Sequence, residues 1–146
     1  MPLQLTITRR VQFSAAHRYA RPEWDDARNR AVFGDNVNLH GHNYVLEATV
    51  AGAVDPVTGM AADIGRLDAR LDALAERLGY RDLSEAPELA GEVPTTENLA
   101  LHAWRELAGG DYGGGRLVRV RLFESPELFV EVSADGAAAS AATEAA

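Results

Sequence analysis

Apolar and polar positions alternate in the second half of residues 39–50, where Tyr44, Leu46, Ala48 and Val50 share a parity. That period of two predicts a β-strand packed on one face. A second strand-like run covers residues 3–17 and closes on His17. Further on the period changes. Ile64, Leu67, Leu71, Leu74 and Leu78 recur at spacings of three and four, while Arg66, Asp68, Arg70, Asp72 and Glu76 fall elsewhere. This predicts a helix over 63–78 with one buried stripe, stopped by Gly79. A second helix opens at Pro94-Thr95-Thr96-Glu97-Asn98 and turns Ala100, Ala103, Trp104 and Leu107 inward. Thr95 is placed as its N-cap, and Glu97 lies where the helix dipole favours a negative charge. The glycine-rich run 109–115 ends it, and two strands follow over 117–123 and 128–132, joined by the turn Glu124-Ser125-Pro126-Glu127.

Between these elements lie three connections. Residues 18–38 are polar and aromatic, with Pro22 and room for a short helix over 23–30. A connection of that length is unusual in a small domain and is commonly functional, so it is expected to lie over whatever the histidines hold. Asp55-Pro56-Val57-Thr58-Gly59 is a turn, and residues 81–93 read as a loop. There is no internal repeat and no second domain: residues 1–133 form one unit, and 134–146, an aperiodic run of mostly alanine, are expected to be disordered. The order ββααββ predicts an α+β fold, a four-stranded antiparallel sheet with both helices on one face. Two strand edges and one face then stay uncovered, which predicts burial against identical subunits.

Composition narrows the function. A net charge of −8 and a pI near 4.9 oppose binding to phosphate backbones, so no nucleic-acid partner is expected. No apolar run is long enough to span a bilayer, and the first ten residues lack the apolar block of a signal peptide, so a cytoplasmic location is expected. The chain has no cysteine, which excludes disulfides, thiolate ligands and cysteine nucleophiles.

His40 and His42, two apart on one strand, point the same way. If the first two strands pair, His17 joins them. Three neutral imidazoles without a thiolate suit a zinc ion with an open fourth position, the catalytic rather than the structural pattern. The competing reading is a His-Gly-His turn with no metal. His102, on the second helix, reads as a surface or core histidine.

Five motifs, taken in order, resemble a known family: Phe13-Ser14-Ala15-Ala16-His17-Arg18, Val32-Phe33-Gly34, His40-Gly41-His42-Asn43-Tyr44, Val54-Asp55-Pro56-Val57-Thr58-Gly59-Met60 and Pro94-Thr95-Thr96-Glu97-Asn98. Together, over residues 5–132, they look like 6-pyruvoyltetrahydropterin synthase and its bacterial relative 6-carboxytetrahydropterin synthase. The resemblance implies the tunnelling fold, in which sheets of several subunits close a barrel, usually a homohexamer of two stacked trimers with active sites at the interfaces. It further implies zinc on His17, His40 and His42, and a pterin ring held by Glu124 with help from Thr95 and Thr96. A carboxylate suits the parallel N–H donors of a pterin's guanidine-like edge. In the family the zinc polarises side-chain oxygens of the substrate, acidifying neighbouring C–H bonds for a nearby base.

The same resemblance exposes what is missing. The family's base is a cysteine shortly before His-Gly-His. Here that stretch is Gly34-Asp35-Asn36-Val37-Asn38-Leu39, with Asn36 nearest the cysteine position. The family's Leu-Asp-His element reads Leu78-Gly79-Tyr80, followed by Arg81 and Asp82. Asp35 and Tyr80 are the candidate replacements, while Asp82 reads as a loop residue. Arg18, Arg28 and Arg30 are candidates for a phosphorylated substrate's negative charge. The expectation is a zinc-dependent lyase acting on the side chain of a dihydroneopterin-type substrate through noncysteine proton transfer. The rival is a noncatalytic zinc- and pterin-binding homologue, and a protein-interaction scaffold is a third class.

Overall fold

The computed structural model describes residues 3–134, so the tail beyond Ala134 lies outside the described residues. The two period-two runs form β1 (Thr6–His17) and β2 (His40–Ala51), which pair antiparallel along their whole length. β3 (Arg116–Ser125) adds to β2 and β4 (Leu128–Ser133) adds to β3, giving one antiparallel sheet in the order β1-β2-β3-β4. β1 begins at Thr6 rather than near residue 3, because the pairing with β2 ends at Thr6↔Ala51. Irregularities interrupt the register at Thr49/Val50 and at Phe123/Ser125.

The predicted helices are α2 (Ile64–Leu78) and α3 (Thr96–Ala108); between β1 and β2 a shorter helix, α1 (Asp26–Phe33), fills part of the long connection. Asp63 caps α2 by accepting from the Arg66 amide at 3.2 Å, and Thr95 caps α3 by accepting from Asn98 at 3.1 Å. The stripe Leu67, Leu71, Leu74 and Leu78 is buried against one sheet face, together with Leu99, Ala100, Ala103 and Leu107 of α3. That face is made by Phe13, Ala15, Tyr44, Leu46, Ala48, Val50, Val120 and Leu122. Burying each leucine side chain contributes roughly 1.5–3 kcal/mol, so these two stripes anchor both helices on the sheet. The stretch read as a loop contains two 3-10 turns, Leu83–Glu85 and Pro87–Leu89, because Leu83, Ala86 and Leu89 reach into the core.

The opposite sheet face carries no helix and is mostly polar, with Val45, Phe123 and Phe129 forming one apolar row. Arg10, Glu47, Arg121 and Glu131 are successive register partners across all four strands. Arg10 pairs with Glu47, and Arg121 Nε donates to Glu131 at 2.7 Å. Charges of alternating sign therefore cross the sheet in one row, which is how Glu47 stays at only 9% exposure. Among the described residues no helix is long and apolar enough to cross a membrane.

Candidate functional site

The register puts His17 opposite His40 and Ala15 opposite His42, so all three imidazoles stand at one end of the helix-covered face. Their ring centroids are 4.6, 5.1 and 5.1 Å apart. One nitrogen from each lies within 4.8 Å of the others. The sequence expectation that the three histidines converge is met.

Two backbone carbonyls orient the rings. His17 Nδ1 lies 2.7 Å from the Pro94 oxygen and His40 Nδ1 lies 2.8 Å from the Asn38 oxygen. A nitrogen facing a carbonyl carries the proton, which leaves Nε2 of each ring as the free lone pair. His17 is fully buried, and burial, with the nearby His40 and His42, pushes its pKa down against the opposing pull of Pro94 and Glu124. Burial lowers His42 as well, with the Glu124 charge opposing. Three converging imidazoles, two of them with Nδ1 turned to a carbonyl, are a donor set a zinc ion takes, so the residues present fit that group.

Beside the triad, the N-terminus of α3 meets the end of β3. Val45 faces Phe123 in the register, so Glu124 follows beside Tyr44, on the same face as the histidines. Thr96, itself buried, donates from its hydroxyl to Glu124 Oε2 at 2.5 Å. Pro94 and Thr96 thus tie the two halves together: one holds His17 and the other aims Glu124. Thr95 contributes the cap of α3. The Glu124 charge reaches His17, His42, Tyr19 and Tyr44.

Two aromatic residues beside the triad were not among the candidate site residues. Tyr44 is fully buried, with its hydroxyl 3.3 Å from His17 Nδ1 and 3.5 Å from Nε2, and burial raises its phenol well above the ordinary range. Tyr19 stands edge-on to His17 at 5.1 Å, 6.3 Å from the His40 ring and 6.0 Å from Phe33. Burial raises the Tyr19 phenol, the Glu124 and Glu97 charges add to this, and polar contact with the Thr96 backbone and side chain opposes it. For Tyr44 the available signal was parity, since it lies two residues after His42 on β2; Tyr19 lies beyond the end of β1 and had no such signal.

The remaining candidates lie around the rim. Asp35 is exposed in the 3-10 turn Gly34–Val37 that leads into β2. Tyr80 is 95% exposed and adopts φ +57, in the left-handed region that side chains seldom enter. Its amide donates to the Ser14 oxygen at 2.6 Å, and the Ala16 amide donates to the Arg81 oxygen at 2.8 Å, so this segment runs along β1 just before His17. Tyr80 and His42 line one shallow depression at that end of the sheet. Asp82 caps a 3-10 turn by accepting from Ser84, in keeping with a loop role. Arg28 stacks over Trp24 at 4.1 Å, Arg30 reaches the Asn38 side chain at 3.5 Å, and Arg18 is exposed. His102 is a buried residue of α3.

Comparison with known proteins gives the chain its relatives. The family model described as 6-pyruvoyl tetrahydropterin synthase matches residues 6–135. The human 6-pyruvoyl tetrahydrobiopterin synthase is 38% identical over 131 residues, covering 87% of this chain and 90% of that one. A dihydroneopterin monophosphate aldolase of Pyrococcus furiosus is 29% identical over 130 residues, covering 89% and 98%. The structure of Caenorhabditis elegans 6-pyruvoyl tetrahydropterin synthase superposes with a TM-score of 0.82 at 31% identity, covering 92% and 98%. On the family match across nearly all of its described length, this chain belongs to the 6-pyruvoyl tetrahydropterin synthase family.

Proposed function

We propose that this chain is a zinc-dependent lyase acting on the side chain of a dihydroneopterin-type pterin. The observation that carries the reading is the placement of Glu124 beside the histidine triad, with Pro94 holding His17 and Thr96 holding the carboxylate. His17 and His40 would hold the zinc through the nitrogens that their backbone contacts leave free, with His42 as the third ligand. The Oε2 of Glu124 is aimed by Thr96, and the carboxylate keeps acceptor capacity for paired N–H donors of a pterin ring. When bound, zinc supplies Lewis-acid polarisation of the substrate's side-chain oxygens.

The protein's own residues must then move protons without a cysteine. The chain has none, and Gly79-Tyr80 stands where the family resemblance places an Asp-His pair. Asp35 and Tyr80, both exposed at the rim, remain the proposed proton carriers, and exposure suits groups completed by a neighbouring subunit. The edges of β1 and β4 are open in the single chain, and Leu128 and Phe129 are exposed on β4. Pairing of these edges in a homo-oligomer, proposed as a hexamer of two trimers, would close the sheets into a barrel and cover them.

A relative that bears the name of an aldolase supports carbon–carbon cleavage as one outcome, beside the pyruvoyl-forming elimination that the names of the more similar relatives support. The second reading, a noncatalytic zinc- and pterin-binding homologue, rests on the absent cysteine. Incubating zinc-loaded protein with dihydroneopterin and its mono- and triphosphates, with products separated by chromatography, tests both. Turnover to a shortened or reduced pterin is expected. Saturable binding with no product leaves the binding protein, and no binding sinks the pterin reading altogether.

A further inference from the structure

Tyr19 occupies the gap between the histidine triad and the Thr96–Glu124 pair, where its hydroxyl is in polar contact with Thr96. Its backbone is fixed, because the Tyr19 amide donates to the Asn36 oxygen at 2.8 Å. Its ring is fixed by His17 on one side and Phe33 on another, both edge-on. Phe33 in turn stacks on Trp24 at 5.9 Å, so the aromatic side chains of the long connection hold the phenol in place. Tyr19 is only half-buried, whereas Tyr44 on the other side of His17 has no exposed surface.

Most of the hydrogen-bond donors in this gap are already committed. The Glu124 carboxylate oxygen accepts from Thr96, whose proton is thereby committed, and the Nδ1 protons of His17 and His40 are committed to Pro94 and Asn38. The chain has no lysine to offer. A substrate chain bearing adjacent hydroxyls needs a donor as well as acceptors, and a phenol is both. Of the two phenols beside the triad, Tyr19 is the one an entering molecule can touch.

We propose that Tyr19 is a substrate-orienting residue whose hydroxyl bonds to a side-chain hydroxyl of the bound pterin, selecting for polyhydroxylated side chains. This rests on the pterin reading above and adds to it a determinant of substrate class. Tyr19→Phe removes one oxygen and keeps the ring that packs on His17 and Phe33.

The test is fluorescence titration of zinc-loaded wild type and Tyr19→Phe with neopterin, which carries three side-chain hydroxyls, and with 6-methylpterin, which carries none. Zinc content of both proteins is measured alongside. Tyr19→Phe is expected to weaken neopterin binding about tenfold, the size of one net hydrogen bond, with 6-methylpterin binding and zinc content unchanged. Equal losses for both ligands, or no loss for neopterin, overturns the proposal while leaving the pterin reading intact. Loss of zinc from Tyr19→Phe also overturns it, by making the residue a support of the triad. If wild type binds neither ligand, the pterin reading itself falls and this inference with it.

Discussion

The hydroxyl of Thr96 donates to the carboxylate of Glu124, 28 residues further along the chain. The first residue of a helix therefore aims an acid at the end of a strand. If that acid holds a pterin ring, Glu124→Gln replaces one acceptor oxygen with a donor and removes the charge. Ligand affinity is expected to fall roughly a hundredfold, as for a charge-assisted pair. Thr96→Val, which keeps the cap at Thr95, should cost about tenfold. Isothermal titration with neopterin measures both, and unchanged affinity in Glu124→Gln would remove the carboxylate from the site.

Zinc content should follow the triad residue by residue. Each of His17→Ala, His40→Ala and His42→Ala is expected to lose bound zinc in elemental analysis, whereas His102→Ala keeps it. Binding at a hundred times the dissociation constant adds about 2.7 kcal/mol to the folded state, so chelator treatment of wild type should lower the melting temperature by several degrees. A melting temperature indifferent to both zinc and chelator would argue that the three rings hold no ion.

The two rim candidates are separable by product formation. Asp35→Asn and Tyr80→Phe each leave the triad and Glu124 intact, so pterin affinity should hold within about twofold while turnover drops at least tenfold in whichever residue carries protons. Full turnover in the double variant would exclude both.

His102 provides a pH prediction. Burial, with help from Arg105 and Arg77 against Glu106 and Glu88, lowers its pKa below the ordinary value. Above about pH 6.5 folded and unfolded chains both hold it neutral, and it adds no slope. On acidification below that value the unfolded chain takes up the proton first, so stability falls until the folded pKa is passed. The slope from one such group cannot exceed about 1.4 kcal/mol per pH unit. Denaturant melts of wild type and His102→Gln between pH 7 and 5 should show a shallower decline in the variant. His17 and His42 are shifted the same way, so part of the slope persists.

Gly52, at the end of β2, makes a backbone prediction. A Cβ built there would land on the Ala61 carbonyl oxygen, with more backbone at 3.2 and 3.4 Å. The clash is with main chain rather than a flexible side chain, so Gly52→Ala should lose about 2 kcal/mol or more. A melting temperature equal to wild type would show that the neighbouring turn yields freely.

Most of the scaffold was legible because period and parity are local. The leucines of α2 and the shared parity of β2 identify buried faces without any tertiary information, and the spacing of His40 and His42 fixes their common direction. The same parity rule brings His17 in once β1 and β2 pair. What stayed hidden depends on contacts far apart in the chain. Tyr19 looks like one residue of a polar connection until Asn36 and Phe33 fold against it. The role of Pro94 is carried by a carbonyl, which every residue has. The turns inside residues 81–93 arise because Leu83 and Leu89 find the core, not because their order announces a helix.

The contact between His17 and Pro94 spans 77 positions. A growing chain has all three histidines by residue 42, yet the carbonyl that fixes the first ring's tautomer comes only at residue 94, just before α3. Until that closure is made, the His17 ring can turn and exchange tautomers, and the triad's hold on an ion should be correspondingly weak. Metal uptake would therefore report late assembly of the sheet and its last helix, and a fragment ending before residue 94 should bind zinc no better than an unstructured histidine peptide.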